Sequence, residues 1–144
     1  MSAERRTTEQ PAHHRLSLVA LVALGGLIGT TGRYAVSGWL GTSVSGWPTA
    51  TFTVNIVGSL ALGALLEALA RQGAETSRAQ AVRLLVGTGV IGSFTTFSSL
   101  AEETDLLVRG SSTGLAVGYA VASLAVGLVA TVLGIAAAAR AGAR

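Results

Sequence analysis

Four stretches free of charge, residues 16–32, 48–66, 84–101 and 110–139, leave this chain few ways to fold. Each holds at least roughly the 17 residues that a helix needs to cross a hydrocarbon core about 30 Å thick. Half of the residues are hydrophobic and only 12% are charged. The class expected is therefore an all-α membrane protein with four transmembrane helices. Its parts are a polar, disordered tail over residues 1–15, a four-helix domain over 16–139 and a short tail over 140–144. The links are too short for a separate soluble domain, and no small-residue cleavage site marks a removable leader.

The arginines set the orientation expected. All ten basic residues are Arg. Eight of them, Arg5, Arg6, Arg15, Arg71, Arg78, Arg83, Arg140 and Arg144, flank one side of the bundle. Only Arg109 flanks the other, and Arg33 lies inside the first run near its end. Positive flanks stay cytoplasmic, so both termini are expected in the cytoplasm of a multi-pass protein of the cell (plasma) membrane. Trp39 and Trp47 fall at the outer ends of the first two runs, where indoles favour the headgroup layer. A pI near 10.6 raises the question of nucleic acid. The arginines form no basic stripe interleaved with aromatics, so no nucleic-acid partner is expected.

The third run is interrupted. Residues 87–100, GTGVIGSFTTFSSL, place glycines and a Thr-Thr-Phe-Ser cluster where a spanning helix should continue. Backbone groups freed at membrane depth survive only inside protein or beside a water-filled path. A broken third helix is the expectation. The string Gly87 to Gly92 matches GxGxxG, but no strand precedes it and no acidic residue follows about 20 positions on, so it is not a dinucleotide site. Most other glycines, such as Gly25, Gly29, Gly63 and Gly134, are read as small residues that let helices approach closely.

Polar residues within the runs form two stripes at helical spacing. Thr51, Asn55 and Ser59 share one face of the second helix. Tyr119 and Ser123, continued by Gly127 and Thr131, share one face of the fourth. Amides and hydroxyls donate hydrogen bonds, and no acidic residue is expected in the middle of any span, because Glu67, Glu102 and Glu103 fall at the ends of the runs. Such a lining suits an anion. The edge of Phe97, set among Thr95, Thr96, Ser98 and Ser99, adds positive partial charge. No enzyme is expected. The chain has no cysteine, and its only histidines, His13 and His14, lie in the polar tail.

These residues resemble the Fluc, or CrcB, family of fluoride channels over nearly the whole chain. The resemblance rests on Gly32-Arg33-Tyr34, on TFTVNIVG from Thr51 to Gly58, and on GSFTTFS from Gly92 to Ser98. It implies an antiparallel dimer of four-helix subunits, with fluoride pores along the interface and a structural sodium ion on the two-fold axis. The carbonyls of Gly92 and Thr95 match those that hold the sodium. Asn55 matches the pore asparagine, Phe97 the first of two pore phenylalanines, and Tyr119 and Ser123 the polar track. Thr51, Thr96 and Ser98 complete the expected pore set. The function implied is passive fluoride efflux that lowers fluoride toxicity, which confers fluoride resistance.

One departure matters. Leu100 stands where the family carries its second phenylalanine, and Gly127 stands where a third hydroxyl of the track is expected. Leucine offers no ring edge. Together with the uneven arginines, which disfavour insertion in both directions, this points to an inverted homologous partner in place of a second copy. The alternatives are a non-conducting or partly conducting partner subunit of a heterodimeric channel and, further off, an exporter like the small multidrug-resistance proteins. The latter depend on a glutamate within the first helix, which this chain lacks.

Overall fold

The computed structural model describes residues 16–40, 46–73 and 76–142. The two tails expected to be polar therefore fall outside the described residues, apart from positions 140–142. The described part is all-helical. Its elements are α1 (Leu16–Leu40), α2 (Thr49–Ala70), α3 (Ser77–Val82), a π-helical stretch (Arg83–Ile91), α4 (Gly92–Phe94), α5 (Phe97–Arg109) and α6 (Thr113–Ala141). Four spans are long and apolar enough to cross a membrane: Leu16–Leu40, Thr49–Ala70, Ser77–Arg109 and Thr113–Ala141.

The third span differs most from the reading of charge-free runs, which confined it to residues 84–101. The helical path begins at Ser77, where the Thr76 side chain accepts the Ala79 N–H, and continues to Arg109. A helix end is decided by where its first donors are satisfied and not by the first charged residue. Glu103 therefore belongs to the helical path, within its last two turns.

The four spans run alternately up and down. Positions along α2 and α6 advance together, Ser59 beside Gly127 and Gly63 beside Thr131. Those along α1 and the third span do the same, Gly25 beside Gly89 and Gly32 beside Phe94. The ends of α2 and α6 and the starts of α1 and α3 consequently share one end of the bundle. Glycine makes these approaches possible. A Cβ on Gly25 would strike the Leu85 carbonyl, one on Gly29 the Val90 carbonyl and one on Gly134 the Leu60 carbonyl. Gly114 and Gly118 face nothing within 4 Å, so the packing role expected of α6 glycines does not extend to them within one chain. Few residues are buried inside a single copy; Val54, Ala116 and Tyr119 are the most enclosed.

Candidate functional site

The interruption of the third span sits at Thr95 and Thr96. Their backbones are extended, with ψ of 160° and 119°, between helical α4 and α5. The glycine-rich residues before it do not break the helix but widen it into the π-helical stretch. Thr95 closes the upstream end, both its N–H and its hydroxyl donating to the Ile91 carbonyl at 3.0 Å. Thr96 opens the downstream end, its hydroxyl oxygen accepting the Ser99 N–H at 3.1 Å. Ser98 Oγ lies 3.1 Å from the same hydroxyl.

Asn55 clasps the break. Its Nδ2 donates to the Thr96 carbonyl at 3.0 Å and its Oδ1 accepts the Thr96 N–H at 2.8 Å. One side-chain amide thus stands in for a missing turn of helix. An amide carries two N–H donors, so the clasp occupies one donor. One turn further on in α2, Gly58 leaves room for the Thr95 methyl, which a Cβ there would strike. In an uninterrupted helix the Thr96 N–H would bond the Gly92 carbonyl. Because it goes to Asn55, that carbonyl loses its helical partner.

Gly92 and Thr95 line an open groove of about 450 Å³, together with Asn55, Thr96, Phe97, Leu100 and Ser123. Phe97 is 77% exposed, while Leu100 is buried. Ser123 is also buried, and its Oγ finds no hydrogen-bond partner in the chain. The absence of a hydroxyl at Gly127 is partly answered from α2, since Ser59 Oγ sits 3.6 Å from where a Cβ of Gly127 would be. Among the described residues no three His, Cys, Asp or Glu converge. A cation at the break would therefore depend on main-chain and hydroxyl oxygens, the ligands a hard cation accepts.

A second cluster forms around Glu103, an acid toward the end of the third span. Thr51 Oγ1 donates to Glu103 Oε1 at 2.7 Å, and Tyr119 Oη donates to Glu103 Oε2 at 2.6 Å. Three spans meet at this carboxylate. The Tyr119 ring, fully buried, is met edge-on by Trp47, with centroids 5.4 Å apart and an interplanar angle of 82°. Trp47 is thus engaged with the bundle, whatever part it plays at the headgroup layer. Glu103 lines a chamber of about 530 Å³ with Thr51, Ser99 and Trp47. A smaller cavity of about 240 Å³ shares Thr51 and Ser99 with that chamber and adds Arg33 and Thr96.

The seven pore candidates accordingly divide. Asn55, Thr96, Phe97 and Ser123 meet at the groove. Thr51 faces the chamber, Tyr119 joins it through Glu103, and Ser98 meets Thr96 without lining either. Sequence reasoning placed Glu103 near a helix end but did not foresee that Thr51 and Tyr119 both donate to it.

Residues 20–135 match the profile described as CrcB-like protein, Camphor Resistance (CrcB). The "Fluoride-specific ion channel FluC 2" of Leifsonia xyli is 40% identical over 139 residues, covering 96% of this chain and 95% of its own. The "Fluoride-specific ion channel FluC" of Novosphingobium aromaticivorans is 42% identical, with 83% of this chain and 94% of its own covered. That of Thermus thermophilus is 44% identical over 115 residues, with 79% and 87% covered. A profile spanning most of a chain of four apolar helices, and relatives aligned nearly end to end, settle the family: the chain belongs to the CrcB-like proteins and is a multi-pass membrane protein.

Proposed function

We infer that the chain is a subunit of a fluoride-specific channel that lets the anion leave the cytoplasm down its gradient, without a chemical step. The observation that carries this reading is the groove beside the break. There a clasped amide, a buried hydroxyl without a partner and an exposed ring edge gather at membrane depth. Fluoride holds its water strongly, so a pore must offer close donors while binding weakly enough to release it. The second N–H of Asn55, the Ser123 hydroxyl and the edge of Phe97 are such donors, with Thr96 and Ser98 beside them. Thr51 and Tyr119 commit their hydroxyl protons to Glu103. Their part is to hold that carboxylate fixed at the chamber.

One subunit gives half a conduit. The groove is open, and Phe97 stands exposed along it. An antiparallel partner, a second copy or an inverted homologue, would close it. Sodium fits the break by the same logic. The Gly92 carbonyl without its helical N–H and the Thr95 carbonyl beside it are hard oxygen ligands. Two are too few for a metal of this kind, and a partner's equivalent pair would double them. Bound there, the ion would supply positive charge that bridges two subunits.

The deciding experiment is fluoride efflux from liposomes. Asn55→Asp keeps the acceptor for the Thr96 N–H but removes the donor and places a negative charge at the groove. Flux should collapse while the protein still elutes as a folded species. Unchanged flux would remove Asn55 from the path.

A further inference from the structure

We propose that Ser59 is a further ligand of the ion, one helical turn beyond the level of Ser123 along the groove, an assignment that rests on the fluoride reading. Because α2 and α6 advance together, with Ser59 beside Gly127 and Gly63 beside Thr131, the same register brings Asn55 beside Ser123. Asn55, Ser123, Ser59, Gly127 and Thr131 all line the groove, in rungs about 6 Å apart along the helices. Their donors are unequal. On the first rung Asn55 keeps one N–H, and the buried Ser123 Oγ has no partner in the chain. On the third, Thr131 spends its hydroxyl proton on the Gly127 carbonyl at 3.0 Å. Ser59 stands between them, half-buried, and its hydroxyl enters no hydrogen bond among the described residues. Thr51, on the same face of α2, has given its proton to Glu103.

The glycine opposite Ser59 is not required by packing. Gly63 and Gly134, on the same pair of helices, each lie where a Cβ would strike a backbone carbonyl. A Cβ on Gly127 would meet only Ser59 Oγ at 3.6 Å and Ile56 Cδ1 at 4.0 Å, ordinary contact distances. What Gly127 leaves is open space before the Ser59 hydroxyl. Leu62, Leu124 and Leu128, which line the same groove, are aliphatic. A fluoride ion that left Ser123 with no donor at Ser59 would stand among hydrocarbon, with its lost water offset by no protein group. The Ser59 hydroxyl supplies the charge-assisted hydrogen bond needed there.

The test is fluoride efflux from liposomes holding the full chain, with an inverted homologous subunit where activity requires one, read beside the melting temperature in detergent. Ser59→Ala should lower flux about tenfold or more, the worth of one hydrogen bond to a charged group. The melting temperature should stay unchanged, because the hydroxyl has no partner in the chain to lose. Gly127→Ser in the Ser59→Ala background should restore most of the flux, since it brings a hydroxyl to the same space from α6. A Ser59 that only joined helices would behave otherwise: its loss would lower the melting temperature or the dimer yield, and a hydroxyl on α6 would not repair flux. Unchanged flux in Ser59→Ala, or a loss that Gly127→Ser does not repair, overturns the assignment and leaves the fluoride reading standing. Absence of fluoride flux from wild type overturns the fluoride reading, and this assignment with it.

Discussion

Asn55 decides whether the break in the third span can exist. Its amide satisfies both the N–H and the carbonyl of Thr96, groups that lipid cannot answer. Asn55→Leu would leave both unpaired, at a cost of about 1–3 kcal/mol for each buried group. Thermal unfolding in detergent should move to lower temperature by several degrees, and flux should fall with it. An unshifted melting temperature would show that the break is held by something else. Glu103 supports a second prediction. Thr51→Val and Tyr119→Phe each remove one donor from the same carboxylate, so their effects on stability should depend on Glu103. In the Glu103→Gln background the two substitutions should cost less than in wild type, by about 0.5–3 kcal/mol of coupling. Strict additivity would mean that the hydroxyls act separately.

At the scale of elements, the close approaches give a test with its own control. Gly25→Val must displace the Leu85 carbonyl of the neighbouring span, whereas Gly118→Ala meets nothing within the chain. The first should destabilise by about 1–3 kcal/mol or more. The second should leave the melting temperature of the monomeric fold unchanged while altering dimer yield only if α6 lies at the subunit contact. The spans themselves were legible from sequence, because long charge-free runs leave helix as the ready solution in hydrocarbon. The break was legible as a region and not as a residue. Glycines at 87, 89 and 92 drew attention, yet helical hydrogen bonds tolerate them by widening to a π turn. The chain leaves the helix at Thr95 and Thr96, where Asn55, 41 positions away, offers the Thr96 N–H and carbonyl another partner. No local pattern carries that information. The partners of Glu103 were illegible for a related reason: they come from α2 and α6.

At the scale of the whole molecule, the proposed pairing would let two subunits share what one lacks, and sodium gives the first test of it. On the reading proposed above, Gly92 and Thr95 would provide two carbonyls and a partner the other pair. Dialysis into sodium-free buffer should lower dimer stability and fluoride flux together, and Thr95→Pro, which removes the Thr95 N–H bond to Ile91 that shapes the turn, should do the same. Loss of neither would remove sodium from the assembly.

Orientation gives the second test. By their place in the sequence the arginines are expected eight to one across the bundle, and orientation follows basic residues in short flanks. Nearly every copy should therefore insert with its termini in the cytoplasm, leaving few inverted copies to pair with. Leu100, buried along the groove beside exposed Phe97, adds that a pore made from this chain alone has fewer ring edges than the resemblance leads one to expect. Both features favour an inverted homologous subunit that supplies the missing orientation and the missing rings. Reporter fusions at each terminus should give a cytoplasmic signal alone, and expression of this chain by itself should restore little fluoride resistance to a sensitive bacterium. Moving charge across the bundle, by Arg78→Gln and Arg83→Gln with two arginines added to the link before Trp47, should produce copies in both orientations. Full resistance from the unaltered chain, or a signal from both sides, would instead establish a homodimer in which leucine at position 100 suffices.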